Sequence, residues 1–141
     1  MRTIFRALIK ALRDRGGEMD EAVIVFPLLL LIAIGLVNMG LLGVAAVNAG
    51  NAANYGARMG AVAQNNPAGV ARAYAGQAIQ AAPVGTYSIA VSGGGAPGNA
   101  VIVQVSYRVP NYFASLVRFF GVDISPEFSG AASSNFRQEG W

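Results

Sequence analysis

The chain reads as α+β: a long N-terminal helix able to cross a membrane, then a small head with a second helix and a short antiparallel β-sheet. Three observations predict this. The stretch Ala22–Val47 holds 26 residues without a charge. As a helix it would be about 39 Å long, enough for a hydrocarbon core of roughly 30 Å. Small residues then recur at helical spacing to Ala63, where Gln64-Asn65-Asn66-Pro67 breaks the pattern. Beyond Pro83 the apolar period changes from that of a helix to the alternation of strands.

Each segment has its own chemical logic. Residues 1–15 place Ile4, Phe5, Leu8, Ile9 and Leu12 at helical spacing among Arg2, Arg6, Lys10 and Arg13. Such a basic flank keeps the N-terminus on the cytoplasmic side and sends the residues beyond Val47 outward. The formal charge of +3 belongs to this leader. Once it is set aside no basic face remains, so nucleic acid is not expected as a partner. The sixteen Leu, Ile, Val and Phe residues of Ala22–Val47 favour insertion by roughly 5–10 kcal/mol. An ordinary secretory signal has an apolar core about half this long. Val47-Asn48-Ala49 is a weak cleavage site, which keeps a secreted domain open as a reading.

The absence of Cys and His excludes disulfides, thiolate chemistry, imidazole catalysis and the usual zinc sites. The single lysine, Lys10, is in the leader, so most nucleophile–base pairs are missing. Asp123 and Glu127 flank Pro126 without a basic or metal-ligating companion. The glycine-rich 92–99, SGGGAPGN, lacks the Gly-Lys-Ser/Thr ending and the helix of a phosphate loop and reads as a hairpin connection. No enzyme, metal, cofactor or small-molecule substrate is expected.

The junction of leader and apolar run has a further pattern: Gly16-Gly17, then Glu21, then EAVIVFPLLLL with Pro27 six residues after the glutamate. This resembles the class III signal of type IV pilin-like proteins, and in particular the TadE-like pseudopilins of tight-adherence (Flp) pilus systems. NAANYGARMGA at 51–61, VIVQVSYRVP at 101–110 and GAASSNFRQE at 130–139 are similar to the later parts of such proteins, in the same order.

The resemblance implies a type IV pilin-like fold with a basic leader (1–16) cut between Gly16 and Gly17 by a prepilin peptidase. Next would come a long helix (17–63), spanning the inner membrane over about 22–47, and then an exported head (64–141). It implies assembly with other pilin or pseudopilin subunits and an inner-membrane assembly platform, in membrane lipid or in an extracellular pilus, serving adhesion. An unprocessed bitopic membrane scaffold and a secreted small binding domain are the alternatives.

Glu21 abuts the apolar run, where an ionisable residue is costly. One reading is a helix-start acid interacting with the macrodipole, at about 0.3–1 kcal/mol. The resemblance implies another: its carboxylate pairs with the free amine of a neighbouring subunit's Gly17 and sets the stagger between subunits. Pro27 reads as a kink, either tolerated or used in assembly. Asn38 could hydrogen-bond a neighbouring helix, for roughly 0.6–2 kcal/mol. Ala49, Ala53, Gly56, Ala57 and Gly60 form a stripe of small residues that allows close helix packing, with the outer half of the long helix expected against its own head.

In the head, Asn66 is a candidate N-cap and Pro67 a first helical residue for a helix over about 67–81, with Val70, Ala71, Tyr74, Ala78 and Ile79 on one face. Tyr87, Ile89 and Val91 alternate, as do the odd residues from Val101 to Val109. A short amphipathic helix, Tyr112 to Phe120, is expected to cover the sheet, with the membrane surface as its alternative resting place. A last strand is expected over about 123–135.

Overall fold

The computed structural model of the chain describes residues 18–119 and 121–139. The elements are α1 (Glu18–Ala61), α2 (Pro67–Gln80), β1 (Thr86–Gly93), β2 (Ala100–Pro110), α3 (Tyr112–Phe119) and β3 (Glu127–Arg137). This is α+β with a pilin-like layout. The chain divides into two compact units, one ending at Val37 and one beginning at Asn38.

The described part of the first unit is the opening of α1. The helix continues through Pro27. Every residue from Ala22 to Ala33 is exposed, whichever face it occupies. Ile24 is 73% exposed and Phe26 67%. Such all-round apolar exposure suits hydrocarbon and not a soluble core.

The second unit contains the rest of α1, α2, the sheet and α3. Its core is built from small residues on α1 and α2 and from valines on β2. Ala49, Ala52, Ala53 and Ala57 of α1, Ala71 and Ala75 of α2, and Val101, Val103 and Val105 of β2 are all fully buried. Removing a valine side chain from water gives about 1.5–3 kcal/mol. The central strand therefore supplies the largest single share of the core.

Glycine lets the two helices come together. A Cβ on Gly56 would lie 2.6 Å from the Ala71 carbonyl oxygen, and one on Gly60 would lie 2.7 Å from Ala71 Cβ and 3.0 Å from Val101 Cγ1. The edge-to-face pair Tyr55–Tyr74, with centroids 5.5 Å apart, closes the helix pair outside the core.

α2 starts as the Asn66-Pro67 pair predicts. The Asn66 side chain accepts from the Gly69 N–H at 3.1 Å. The cap is left-handed, with φ 49°, where N-caps are usually extended. Asparagine tolerates that conformation better than most residues. A side chain on residue 69 would run into the Asn66 amide, so Gly69 belongs to the same device.

The sheet is antiparallel, in the order β1-β2-β3. Val91 faces Val103 and Ile89 faces Val105 across one ladder, while Val105 faces Ala132 and Tyr107 faces Gly130 across the other. The Tyr107 ring lies over the bare Gly130, where any Cβ would collide with it. The β1–β2 hairpin closes at Gly94, whose N–H donates to the Ala100 carbonyl at 3.0 Å.

β3 begins later than the sequence pattern suggests, at Glu127 and not 123, and extends to Arg137. Its limits are those of its partner: Pro110 faces Glu127 and Ala100 faces Arg137. Residues 123–126 belong to the connection, where Asn111 holds the Ser125 and Pro126 carbonyls.

Candidate assembly and anchoring site

Gly16 and Gly17 lie outside the described residues, and so does the leader. Glu21 stands in the opening turns of α1; its side chain is outside the described part. Pro27 is exposed among its apolar neighbours. The described part of the first unit thus presents an apolar helical surface, exposed at every residue from Ala22 to Ala33. The helix is long and apolar enough to cross a membrane.

Asn38 is 3% exposed and finds its partners inside the chain. Its Nδ2 donates to Asn111 Oδ1 at 3.3 Å, and its Oδ1 accepts from the Tyr112 N–H at 3.2 Å. Asn111 is in turn the hub of the β2–β3 connection. Its Oδ1 caps α3 by accepting from the Phe113 N–H at 3.1 Å. Its Nδ2 donates to the Ser125 carbonyl at 2.9 Å, and its backbone N–H to that of Pro126 at 2.8 Å. One asparagine therefore ties both ends of residues 111–126 together and pins them to α1. Between buried amides such bonds are hard to replace, because a lone survivor is left unsatisfied.

Ala49, Ala53, Gly56, Ala57 and Gly60 are all buried, against α2 and β2 of the same chain. Their small size is used here for the approach of α1 to its own second helix and central strand.

Two side chains with structural roles were not singled out in the sequence. Asn111 read only as a helix start. Gln138, in what reads as a polar tail, is 6% exposed. It accepts from the Gly95 N–H at 3.1 Å and donates to the Ala63 carbonyl at 3.4 Å. With Glu139 N–H on the Ala61 carbonyl at 3.0 Å, this satisfies the carbonyls at the end of α1. Polar residues of this kind carry no periodic signal. Their partners on Asn38, Gly95 and Ala63 are 43 or more positions away.

Chemistry for catalysis is not assembled among the described residues. A hollow of about 640 Å³ crosses the strands at Tyr87, Tyr107, Arg108 and Gly130. It brings together no acid–base pair and no nucleophile with a base. No group of three or more Asp or Glu side chains among the described residues is placed to hold a metal. The ion pairs Arg108–Glu127 (3.9 Å) and Arg118–Asp123 (3.3 Å) are exposed and contribute little.

The N-terminal helix is long and apolar enough to cross a membrane, and with the second helix and the three-stranded antiparallel sheet it gives an α+β fold of pilin-like layout. Residues 21–58 match the model of the family described as TadE-like protein. The match starts at Glu21, ends at Arg58 and stays within α1, so the likeness at 101–110 and 130–139 falls outside it. No curated protein and no solved structure matches the chain significantly. The likeness to TadE-like proteins is thus one of α1, over 38 of the 141 residues.

Proposed function

We propose that the protein is a minor pilin-like subunit that assembles through α1 in a tight-adherence pilus or related filament and serves surface adhesion, without an enzymatic activity. The leader is cut between Gly16 and Gly17 by a prepilin peptidase on the cytoplasmic side. The helix crosses the inner membrane over about 22–47 with the N-terminus inside, and the head, from about residue 64, is exported. Subunits meet along the apolar surface of α1 with the help of an assembly platform. Glu21 of one subunit takes the Gly17 amine of the next, and Pro27 shapes the helix for that contact. Asn38 serves assembly by holding Asn111 and the start of α3 to the long helix.

The observation that carries this reading is the opening of α1 itself. Its apolar residues are exposed all round, its one flanking carboxylate at the apolar edge is Glu21, and the TadE-like match begins at that residue. An unpaired carboxylate among apolar helices costs several kcal/mol and a paired one far less.

The test is Glu21→Gln with Gly16→Val beside it, read by cross-linking and co-purification from membranes. Glu21→Gln leaves cleavage intact and weakens assembly, because the neighbour's amine becomes the unpaired charge. Gly16→Val blocks cleavage and leaves insertion intact. If Glu21→Gln assembles as well as the parent, Glu21 is only a helix-start acid and the pairing is wrong.

A further inference from the structure

In the order β1-β2-β3, β3 is an edge strand, and one side of it has no partner strand. Which of its backbone groups face that side follows from the register. Just beyond the strand ends, the Asn111 N–H donates to the Pro126 carbonyl and the Gln138 N–H to the Asn99 carbonyl, both in line with the β2–β3 pairing. Even residues of β3 therefore turn their N–H and C=O toward β2, and the odd ones turn theirs outward. Ser125 Oγ already holds the outward groups of Glu127. Among the described residues, no backbone group meets those of Ser129, Ala131, Ser133 and Asn135 on that side. Natural edges are commonly protected by charge or proline. From Phe128 to Phe136 this one has neither.

The strand is also complementary to itself. Its two charges, Glu127 and Arg137, have opposite sign and each stands five residues from Ala132. Its two phenylalanines, Phe128 and Phe136, each stand four residues from the same alanine. Laid antiparallel against a second β3 about a two-fold axis at Ala132, Glu127 faces Arg137 of the second copy and Phe128 faces its Phe136. Ser129 then faces Asn135 and Ala131 faces Ser133, so outward backbone groups meet outward groups. The phenylalanines fall in the non-hydrogen-bonded pairs, where side chains are closest. Aromatic and opposite-charge pairs across strands are both favourable, and any shift of register separates them. The side chains are available: Phe136 is 38% exposed, Glu127 has only a loose exposed contact with Arg108 at 3.9 Å, and Arg137 spends one N–H on the Gly98 carbonyl. The opposite edge, Thr86–Gly93, carries no charge that would fix a register.

We propose that the β3 edge binds the β3 edge of a second copy of this chain, joining two three-stranded sheets into one about a two-fold axis at Ala132. The contact is head to head. Within the second unit, residues 38–61 of α1 run along β2 in the opposite direction: Asn38 meets Asn111 past the end of the strand, and Gly60 lies against Val101 near its start. The two-fold axis stands normal to the sheet and reverses that segment with it. Copies lying side by side with these segments parallel cannot pair in this way, so the contact is separate from assembly through α1. It stands on the second unit alone. It is also small, and small interfaces are weak and transient.

The chain has no native cysteine, so Ala132→Cys in the full-length protein, purified in detergent, reads the pairing as a disulfide. On the two-fold axis the Ala132 of each copy forms a non-hydrogen-bonded pair with Cα atoms about 4.5 Å apart, within the roughly 4.4–6.8 Å that a disulfide spans. Mild oxidation is expected to link Ala132→Cys to itself and to leave Ala90→Cys, at an exposed position of β1, unlinked. Ala131→Cys mixed with Ser133→Cys, a facing pair on the exposed side, is expected to link as well, and each alone much less. Added to Ala132→Cys, Glu127→Arg or Arg137→Glu puts like charges opposite each other at both ends, and the linked fraction falls. Mixing these two charge variants restores it, as the heterodimer only, because each end then has opposite charges again. Linking that is the same with and without the charge changes overturns the proposal. So does a failure of both cysteine tests to link, or linking of Ala90→Cys as fast as Ala132→Cys. If Ala132→Cys in native membranes links to a different protein and not to itself, another strand covers this edge and self-pairing is wrong.

Discussion

Asn38 shows how one polar residue in an apolar run is put to use. Its two hydrogen bonds to Asn111 and Tyr112 are both buried or part-buried, and Asn111 loses a cap on α3 and a tie to Ser125 if it is truncated as well. Leaving a buried amide unsatisfied costs about 1–3 kcal/mol. Asn38→Ala is therefore expected to lower the unfolding free energy of the full-length protein in detergent by that amount, and Asn111→Ala by more. The two losses are expected not to add: contacting residues couple by about 0.5–3 kcal/mol. A double-mutant cycle from denaturant unfolding gives the coupling directly, and a value of zero would mean that the pair carries no stability. Asn38 was visible in the sequence as the polar residue of the run, and its partner was not. Asn111 lies 73 positions away, and nothing local distinguishes it from an ordinary helix cap.

At the level of elements, the small-residue stripe of α1 was legible from its spacing, and α2 from the Asn66-Pro67 signal. The limits of β3 were not, because a strand begins and stops with its partner, and the pairings Pro110↔Glu127 and Ala100↔Arg137 are tertiary facts. The stripe also separates two kinds of glycine. Gly60 has Ala71, Pro67 and Val101 at the closest approach of the elements, whereas Gly40 has no atom within 4 Å of a would-be Cβ. Gly60→Val is expected to cost roughly 1–3 kcal/mol by overpacking. Gly40→Ala is expected to cost nothing in the fold, and to stiffen the helix by about 0.5–1 kcal/mol. Thermal melts of the two variants decide this; equal losses would mean that the α1–α2 approach is not tight. The core also needs α1 residues that precede the helix break: Ala49, Ala52, Ala53 and Ala57. Fragments beginning at Asn38, Asn48 and Gln64 are expected to melt in descending order of temperature, and equal melting temperatures for the last two would count against α1 as part of the core.

For the molecule as a whole, sequence and structure divide the labour. Composition and charge placement foretold the apolar helix and the α+β class, because each depends on runs and periods that a linear reading can see. The folded unit proves larger than the segment after the helix break: it begins at Asn38, inside the apolar run. Asn38 and Ala45 are buried in that unit, which periodicity does not reveal. It also bears on the secreted-domain reading. A cut near Ala49 would detach Asn38 and Ala45 from a unit in which both are buried. The mature N-terminus of the protein extracted from its native membrane, read by N-terminal sequencing together with intact mass, tests the central claim most directly. A processed subunit that assembles through α1 begins at Gly17 and keeps every residue after it. A native chain that begins at Met1 contradicts this and leaves an unprocessed membrane scaffold, and one that begins at Gly50 makes the protein a secreted domain.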